Sequence, residues 1–504
     1  MLPSGSPMHA ATPRSGAVQA RSRLDRLTQR LFSFPAVIVG ILIAKAFWTC
    51  RSRIADPDIW WHLRNADVLV STHHFPNSDT YSFTAAGAPW VNHAWLSELV
   101  FFFSYRALGL RGLFVVSFLA VAALSLSIFF LCRRRTTDPL TAALATIAGG
   151  LLAMVGFAPR TQLFGWLCFV AVFAILLRFR TDNSAPLWPV PILFCLWINC
   201  HAGWPFGLVI LGIVLAAGLV PRDVGPIAAA PWSSPARKKL LATLVLSTAA
   251  LFLNPFGYRL VWYPFDVALR QKLNVRLVEE WASVNFNDDR GLIVMIVLGA
   301  VFLMALAPRQ RWRLDDAALT AFALYGGLTH VRMLLPAGII LPPILAPQLG
   351  TISSYDPARE RRLLNAVVLA GIAAVLVFGS PSTRMLQAEA AAYFPVGAVD
   401  FLRSHPQDGK MFNSYEWGGY LGWELPETKV FIDSRTDIFE YKGVLKDYVR
   451  IGVLDDSQEL LDRYGISLVL YTPQTPLAYF LSRDPGWQEI YRDTNAVLFR
   501  RARR

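Results

Sequence analysis

Charge is scarce in this sequence. Of 504 residues only 16% are Asp, Glu, Lys or Arg, against 54% hydrophobic ones, a balance far from that of soluble globular chains. Cysteine is scarcer still. Cys50, Cys132, Cys168, Cys195 and Cys200 lie in or at the ends of apolar stretches, with no CxxC pair and no zinc spacing, so they read as small core residues. Cys50 and Cys200 fall toward one surface and leave room for a single disulfide. No GxGxxG, P-loop, GxSxG or HExxH pattern occurs, which leaves soluble-nucleotide and zinc-hydrolase chemistry without support. No cleavable leader is expected: residues 1–30 are polar and Arg-bearing, and no small-residue cleavage site follows the next apolar stretch.

Long apolar runs fill the space that charge leaves. Windows near 32–50, 113–132, 139–157, 163–178, 187–201, 204–220, 239–256, 291–307, 315–331, 333–350 and 363–380 reach or approach the roughly 20 residues a helix needs to cross a bilayer. They predict an α-helical polytopic membrane protein of about eleven transmembrane helices. The net charge of +13 sits in short clusters between these runs, which points to topology and not to nucleic acid.

The clusters alternate. Arg14, Arg21, Arg23, Arg26 and Arg30, then Arg133 to Arg135, Arg178 with Arg180, Arg222 with Arg237 to Lys239, Arg309 with Arg311 and Arg313, and Arg359 with Arg361 and Arg362 occupy every second loop. The positive-inside rule makes these loops cytoplasmic. Residues 1–30 then form a cytoplasmic segment, 31–380 the membrane domain with a first outer loop at 51–112, and 381–504 an extracytoplasmic domain. Trp95–Leu108 is apolar but short and holds Glu98 and Arg106, so it is expected to be an interfacial helix.

The outer face collects the polar residues. The first loop opens with Ala55-Asp56-Pro57-Asp58-Ile59-Trp60-Trp61-His62. A helix from Asp58 puts Asp58, His62 and Asn65 on one stripe and Ile59, Leu63, Ala66 and Val70 on another. Pro57 suits its start, Asp56 its cap, and Trp60 and Trp61 the headgroup zone. The other outer ends bring Arg160 and Gln162, Asn199 and His201, Asn254, Glu279 and Glu280, and His330 with Arg332. Carboxylates, histidines, amides and two arginines at one membrane surface suit an anionic lipid headgroup. Each residue has a plainer reading: Asp56 as a cap, Asp58 as a partner of the helix dipole, Asn199 as an interhelical bond, Arg332 as a snorkelling cation.

Asp56-Pro57-Asp58, Trp60-Trp61-His62-Leu63, Pro76 to Ser82, and Pro89-Trp90 to Leu96 resemble the first loop of GT-C glycosyltransferases, multi-span enzymes that use polyprenyl-phosphate-linked sugars. Trp197 to His201, Asn254-Pro255-Phe256-Gly257, Glu279-Glu280-Trp281 and Phe431 to Arg435 extend the resemblance over most of the chain, toward a bacterial branch beside the protein mannosyltransferase and aminoarabinose transferase families. The tail is faintly similar to oligosaccharyltransferases, but Tyr415-Glu416-Trp417-Gly418-Gly419 stands in place of their WWDYG motif.

The resemblance implies a transferase of the inner cell membrane and cell envelope that moves a sugar from a polyprenyl-phosphate donor to a glycan, lipid or protein acceptor. Asp56 or Asp58 would be the catalytic base and Arg332, with Arg160, would offset charge on the leaving phosphate. His62, Gln162, Asn199, His201, Glu280 and His330 complete the expected binding set. Asp56, Asp58 and Glu280 could also supply oxygen ligands to Mg or Mn.

After Ser380 hydropathy falls. Strands are expected at 410–413, 429–432, 467–471 and 496–499, and helices at 397–404, 444–451 and 458–464, giving a small α/β domain with a partly parallel sheet. Gly418-Gly419 suggests a tight turn, and Asp433 with Arg435 a surface pair. Two rival functions remain. A transporter or flippase would carry ionisable residues near the midplane, and a non-catalytic scaffold would let Asp58 and Arg332 lie on opposite sides of the bundle.

Overall fold

The computed structural model describes residues 28–51, 54–277, 279–306, 308–353 and 355–502; Arg14, Arg21, Arg23 and Arg26 of the basic amino-terminal segment lie outside them. Helix α1 (Phe34–Cys50) leads into two helices of the first loop, α2 (Asp58–Thr72) and α3 (Trp95–Leu108). The bundle continues through α4 (Leu110–Arg135), α5 (Pro139–Ala153), α6 (Gln162–Thr181), α7 (Pro189–Cys200), α8 (Pro205–Ala217) and α9 (Ser234–Ala250). After α10 (Tyr258–Arg270) and α11 (Lys272–Leu277) come α12 (Asp289–Leu306), α13 (Leu314–Thr329), α14 (Leu334–Leu349) and α15 (Arg362–Phe378).

Every apolar window of the sequence therefore holds one helix. By length and hydropathy, α4, α6, α12 and Val331–Leu349 can each cross a bilayer, and α15 with α16 (Thr383–Tyr393), bent by 65°, makes a fifth. Helices α1, α5, α7 and α8 are apolar but shorter. Cys132, Cys168, Cys195 and Cys200 are free thiols, so the disulfide that Cys50 and Cys200 left room for is not formed.

Local chemistry sets the ends. Ser33 caps α1, and Asp138 caps α5 ahead of Pro139, where a missing N–H costs nothing. Asp138 also accepts the backbone N–H of Ile352 and Ser353, both at 3.0 Å, which ties α5 to the segment after α14. Within the bundle α5 and α14 cross at their glycines: a Cβ on Gly149 would lie 2.4 Å from the Gly338 carbonyl oxygen. Such backbone approach is how apolar helices associate without a hydrophobic drive.

The basic clusters meet at one end. Arg180 of α6 lies 2.7 Å from Asp315 and 2.8 Å from Asp316 of α13, and Arg135 of α4 lies 3.1 Å from Asp316. Arg311 pairs with Asp223 at 2.7 Å, and Glu360 accepts the Phe34 N–H at 2.8 Å.

At the other end sits the polar domain. It comprises α17 (Val396–Ser404), β1 (Lys410–Asn413), α18 (Gly418–Glu424), α19 (Thr436–Tyr441), α20 (Val444–Gly452), α21 (Ser457–Arg463), β2 (Ile466–Tyr471), α22 (Pro476–Leu481), β3 (Trp487–Arg492) and β4 (Val497–Arg501). The sheet order is β1-β2-β4-β3, with β1 parallel to β2 and the other pairs antiparallel. Residues 429–432, expected as a strand, are not one. Val430 instead exchanges backbone bonds with Tyr81 and Phe83 of the first loop, both at 3.1 Å, and the Asn413 side chain bonds Phe431 and Ile432. The segment is extended, but its partner is the first loop.

That docking corrects three expectations. Trp60 and Trp61 are 2% and 5% exposed; Trp60 meets Tyr420 and Phe394 edge-on, under the polar domain and not among headgroups. Gly418 and Gly419 open α18 without a turn, and a Cβ on Gly419 would lie 2.9 Å from the Pro57 carbonyl oxygen. These glycines exist for close approach. Arg435 is buried, not a surface partner: it bonds Asp433 and, at 2.6 Å, Asp79 of the first loop, while facing the Tyr81 and Trp90 rings.

Candidate active site

Between the first loop, the first turn of α6, the segment just before α14, helix α10 and the polar domain lies a cavity of about 210 Å³. Asp58, the first residue of α2, lines it. The Trp61 indole N–H, which also donates to Ser434 Oγ at 3.0 Å, lies 3.3 Å from one Asp58 carboxylate oxygen.

Asp56 does not line the cavity. It is buried behind the wall, where it accepts the Asp58 N–H at 2.9 Å and so covers an unpaired donor at the start of α2. It also receives Arg160 Nε, while Arg160 Nη1 reaches Glu280. One guanidinium thus ties two carboxylates. Burial raises the Asp56 carboxyl to about 6, opposed by the Arg160 charge. Burial would raise Glu280 as well, but Arg160 and Arg332 hold it below its ordinary value.

Arg332 lines the cavity too, as do Arg160 and Arg435. Its guanidinium stacks 4.3 Å over the Trp281 ring, and no ion pair to it is formed among the described residues. Asp58 and Arg332 face one cavity, the arrangement a scaffold does not require.

Histidines supply polarity here, not charge. His62 Nδ1 lies 2.7 Å from Glu98, which also accepts Asn65 at 3.0 Å and Asn92 at 2.6 Å. Burial pushes Glu98 up to about 7 and His62 down to about 3. His62 is therefore a neutral imidazole oriented by Glu98, with Thr161 3.4 Å from its Nε2, and α3 is anchored by a fully buried acid and not merely laid on a surface. His201 is likewise held neutral, by burial first and by His93 and Arg332 next.

Of the residues expected from sequence, Asp58, His62, Arg160, Gln162, His201, Glu280 and Arg332 converge on the cavity. Asn199 and His330 do not. Asn199 is saturated by Trp95 at 2.8 Å and by the Cys195 and Leu253 carbonyls at 2.8 and 2.9 Å, which makes it an interhelical tie. His330 packs against Trp281 and bonds Thr329.

The cavity also gains residues that sequence reasoning left out. Tyr263 stacks on His93 at 4.7 Å, and Thr436 donates to Asn274 at 2.8 Å. Asp437 is raised by burial to about 7, opposed by Arg435. Asp437 follows the noticed Asp433-Ser434-Arg435 by two positions, the one signal that could have found it.

The metal expectation meets an occupied donor set. Among the described residues no group of three or more His, Cys, Asp or Glu side chains is arranged to hold an ion. Asp56 and Glu280 both engage Arg160, so the residues as placed do not fit a divalent cation.

No family model and no curated protein matches the chain. Among solved structures it is similar to the oligosaccharyltransferase of Archaeoglobus fulgidus in its apo form, at 11% identity and a TM-score of 0.51, over 86% of this chain and 69% of that one. It is also similar to ArnT from Cupriavidus metallidurans. The apo form matches at 14% identity and a TM-score of 0.50, over 95% of this chain and 98% of that one. The form bound to undecaprenyl phosphate matches at 13% and 0.50, over 92% and 97%. At such identities the likeness is one of fold. The chain shares the fold of these neighbours, here an apolar helical bundle carrying a small mixed α/β domain.

Proposed function

We propose that the protein transfers a sugar from a polyprenyl-phosphate donor to an acceptor hydroxyl in the cavity between the bundle and the polar domain. The observation that carries this reading is the presence in one cavity of a carboxylate, Asp58, and an arginine, Arg332, that has no ion-pair partner among the described residues. In such a site Asp58 takes the proton of the acceptor hydroxyl as its oxygen attacks the anomeric carbon. The bond from that carbon to the phosphate oxygen breaks, the anomeric centre inverts, and the departing phosphate carries its charge toward Arg332. Arg160 keeps Asp56 and Glu280 in place. Because the donor set does not fit a divalent cation, charge on the phosphate falls to arginine.

A lipid donor is supported by two further features. An apolar cavity of about 220 Å³ lies between α5, α12 and α14, lined by Leu144, Ala148, Leu152, Val297, Leu341 and Leu345. Leu152, Val297 and Leu341 also line a crevice reaching Leu334, two residues beyond Arg332. Secondly, the similar ArnT structure holds undecaprenyl phosphate. In this reading all eleven apolar helices span the inner membrane. The arginine-rich end is cytoplasmic, by the positive-inside rule, and the cavity and residues 381–504 face outward.

The test is donor turnover in membrane vesicles carrying the full chain. Asp58→Asn should lower it by about 10²- to 10⁴-fold, the usual weight of a positioned base. Unchanged turnover removes the reading. Lipid extracts of cells lacking the protein should accumulate the donor and so identify its sugar.

A further inference from the structure

A second polar cavity, of about 240 Å³, lies at the opposite end of the helices that form the first. Helix α6 begins at the candidate active site with Gln162 and ends here with Thr181; α14 runs from just beyond Arg332 to Gln348. Twenty residues of helix separate the two cavities by about 30 Å, the thickness of a hydrocarbon core. The lining comes from Arg134 and Arg135 at the end of α4, Arg311, Trp312 and Arg313 before α13, and Gln348.

Its charges are arranged, not scattered. Asp316 holds Arg135 at 3.1 Å and Arg180 at 2.8 Å, Asp315 holds Arg313 at 3.1 Å, and Asp223 holds Arg311 at 2.7 Å. Arg135 Nε also reaches the Pro343 carbonyl at 3.4 Å. That oxygen is open because Pro347, one turn on, has no N–H to offer. Gln310 and Gln348 bond each other reciprocally, at 3.1 and 2.8 Å, and fix the floor. Four arginines and Asp316 line the cavity, and Arg134 makes no hydrogen bond or ion pair among the described residues. The indole N–H of Trp312 is buried without an acceptor.

A loop selected only for topology needs exposed arginines; it does not need buried aspartates to hold two of them at the wall of a cavity. We propose that this cavity binds one phosphate-bearing anion, the headgroup of an anionic phospholipid in the leaflet away from the candidate active site. Planar guanidinium forks match phosphate oxygens two at a time, and Arg134 adds a positive charge that no aspartate among the described residues pairs with. The proposal concerns lipid binding and stands apart from catalysis in the first cavity.

Native mass spectrometry of the purified full chain, with phosphatidylglycerol or phosphatidylcholine added at equal concentration, tests it. One phosphatidylglycerol should be retained in preference, and Arg134→Gln should weaken retention about tenfold or more, the weight of a hydrogen bond to a charged group. Arg133→Gln, whose side chain bonds Thr136 outside the cavity, should retain it. Equal losses in both variants would reduce the effect to general surface attraction and overturn the site, as would unchanged retention in Arg134→Gln and in Arg134→Gln/Arg311→Gln. A parallel arm replaces lipid with inorganic phosphate and follows heat stability. Protection of the native chain but not of Arg134→Gln, without lipid preference, would keep the anion seat and assign its source to solution.

Discussion

The two ends of the bundle handle buried charge in opposite ways. At the basic end Asp315 and Asp316 are shared among Arg135, Arg180 and Arg313, and the Arg180 side chain is 1% exposed. At the cavity end a single arginine, Arg160, is divided between Asp56 and Glu280, while Asp58 and Arg332 face the cavity outside that tie. A closed network of carboxylates and guanidinia fixes α4, α6 and α13 in register. An open one leaves a base and a cation for something that is not protein.

Breaking the closed end should produce the largest effect. Arg180→Met removes the one fully buried guanidinium that Asp315 and Asp316 share and leaves them only Arg313 and Arg135; loss of one partner of such a buried pair costs about 3–5 kcal/mol. Thermal unfolding in detergent should show it as a large drop in Tm, with turnover per folded molecule little changed. A drop no greater than that of a surface variant would erase the contrast.

Arg332→Gln probes the open end. It should lower donor turnover about 10²-fold, the weight of one group aimed at developing charge, and leave Tm nearly unchanged because no ion pair among the described residues is lost. A fall in Tm without a fall in turnover would make Arg332 a structural residue like Arg180.

Gly419→Ala tests the joint between the ends of the site. Its Cβ would meet the Pro57 carbonyl and the Trp61 backbone, overpacking that costs about 1–3 kcal/mol. Turnover should fall with stability, since the same contact sets the start of α2 and hence Asp58. Full turnover would mean that the polar domain does not position Asp58.

The smallest effect is a pH limb. Asp56, lifted by burial to about 6 from 3.8, becomes neutral as pH falls through 6 and loosens Arg160. Turnover should decline below that point, by no more than about tenfold per pH unit, and Asp56→Asn should abolish the limb. Stability moves the other way. A carboxyl with a raised folded pKa contributes fully below about 4, and that contribution is lost as pH rises through 6.

Much of this was legible because a bilayer constrains sequence so strongly. Each apolar window became a helix, and Asp58, Arg160 and Arg332, scattered over 275 positions of the chain, met because helix ends on one side of a bundle converge. Asn199 was misread since a polar residue in an apolar helix looks the same whether it binds substrate or ties two helices; only the Trp95 and Leu253 contacts distinguish them. Trp60 and Trp61 were assigned to headgroups because nothing local announces a domain 350 residues later that covers them.

Hydropathy and arginine spacing alone determined the helices, the polar tail and the end of the bundle at which acids and histidines gather, since burying a charge in hydrocarbon is costly wherever it occurs. Tertiary structure decided which of those groups are already neutralised. Asp56 is tied to Arg160 while Asp58 faces the cavity, two residues apart and alike in sequence, because pairing depends on side chains brought from other helices, and no local pattern records their arrival.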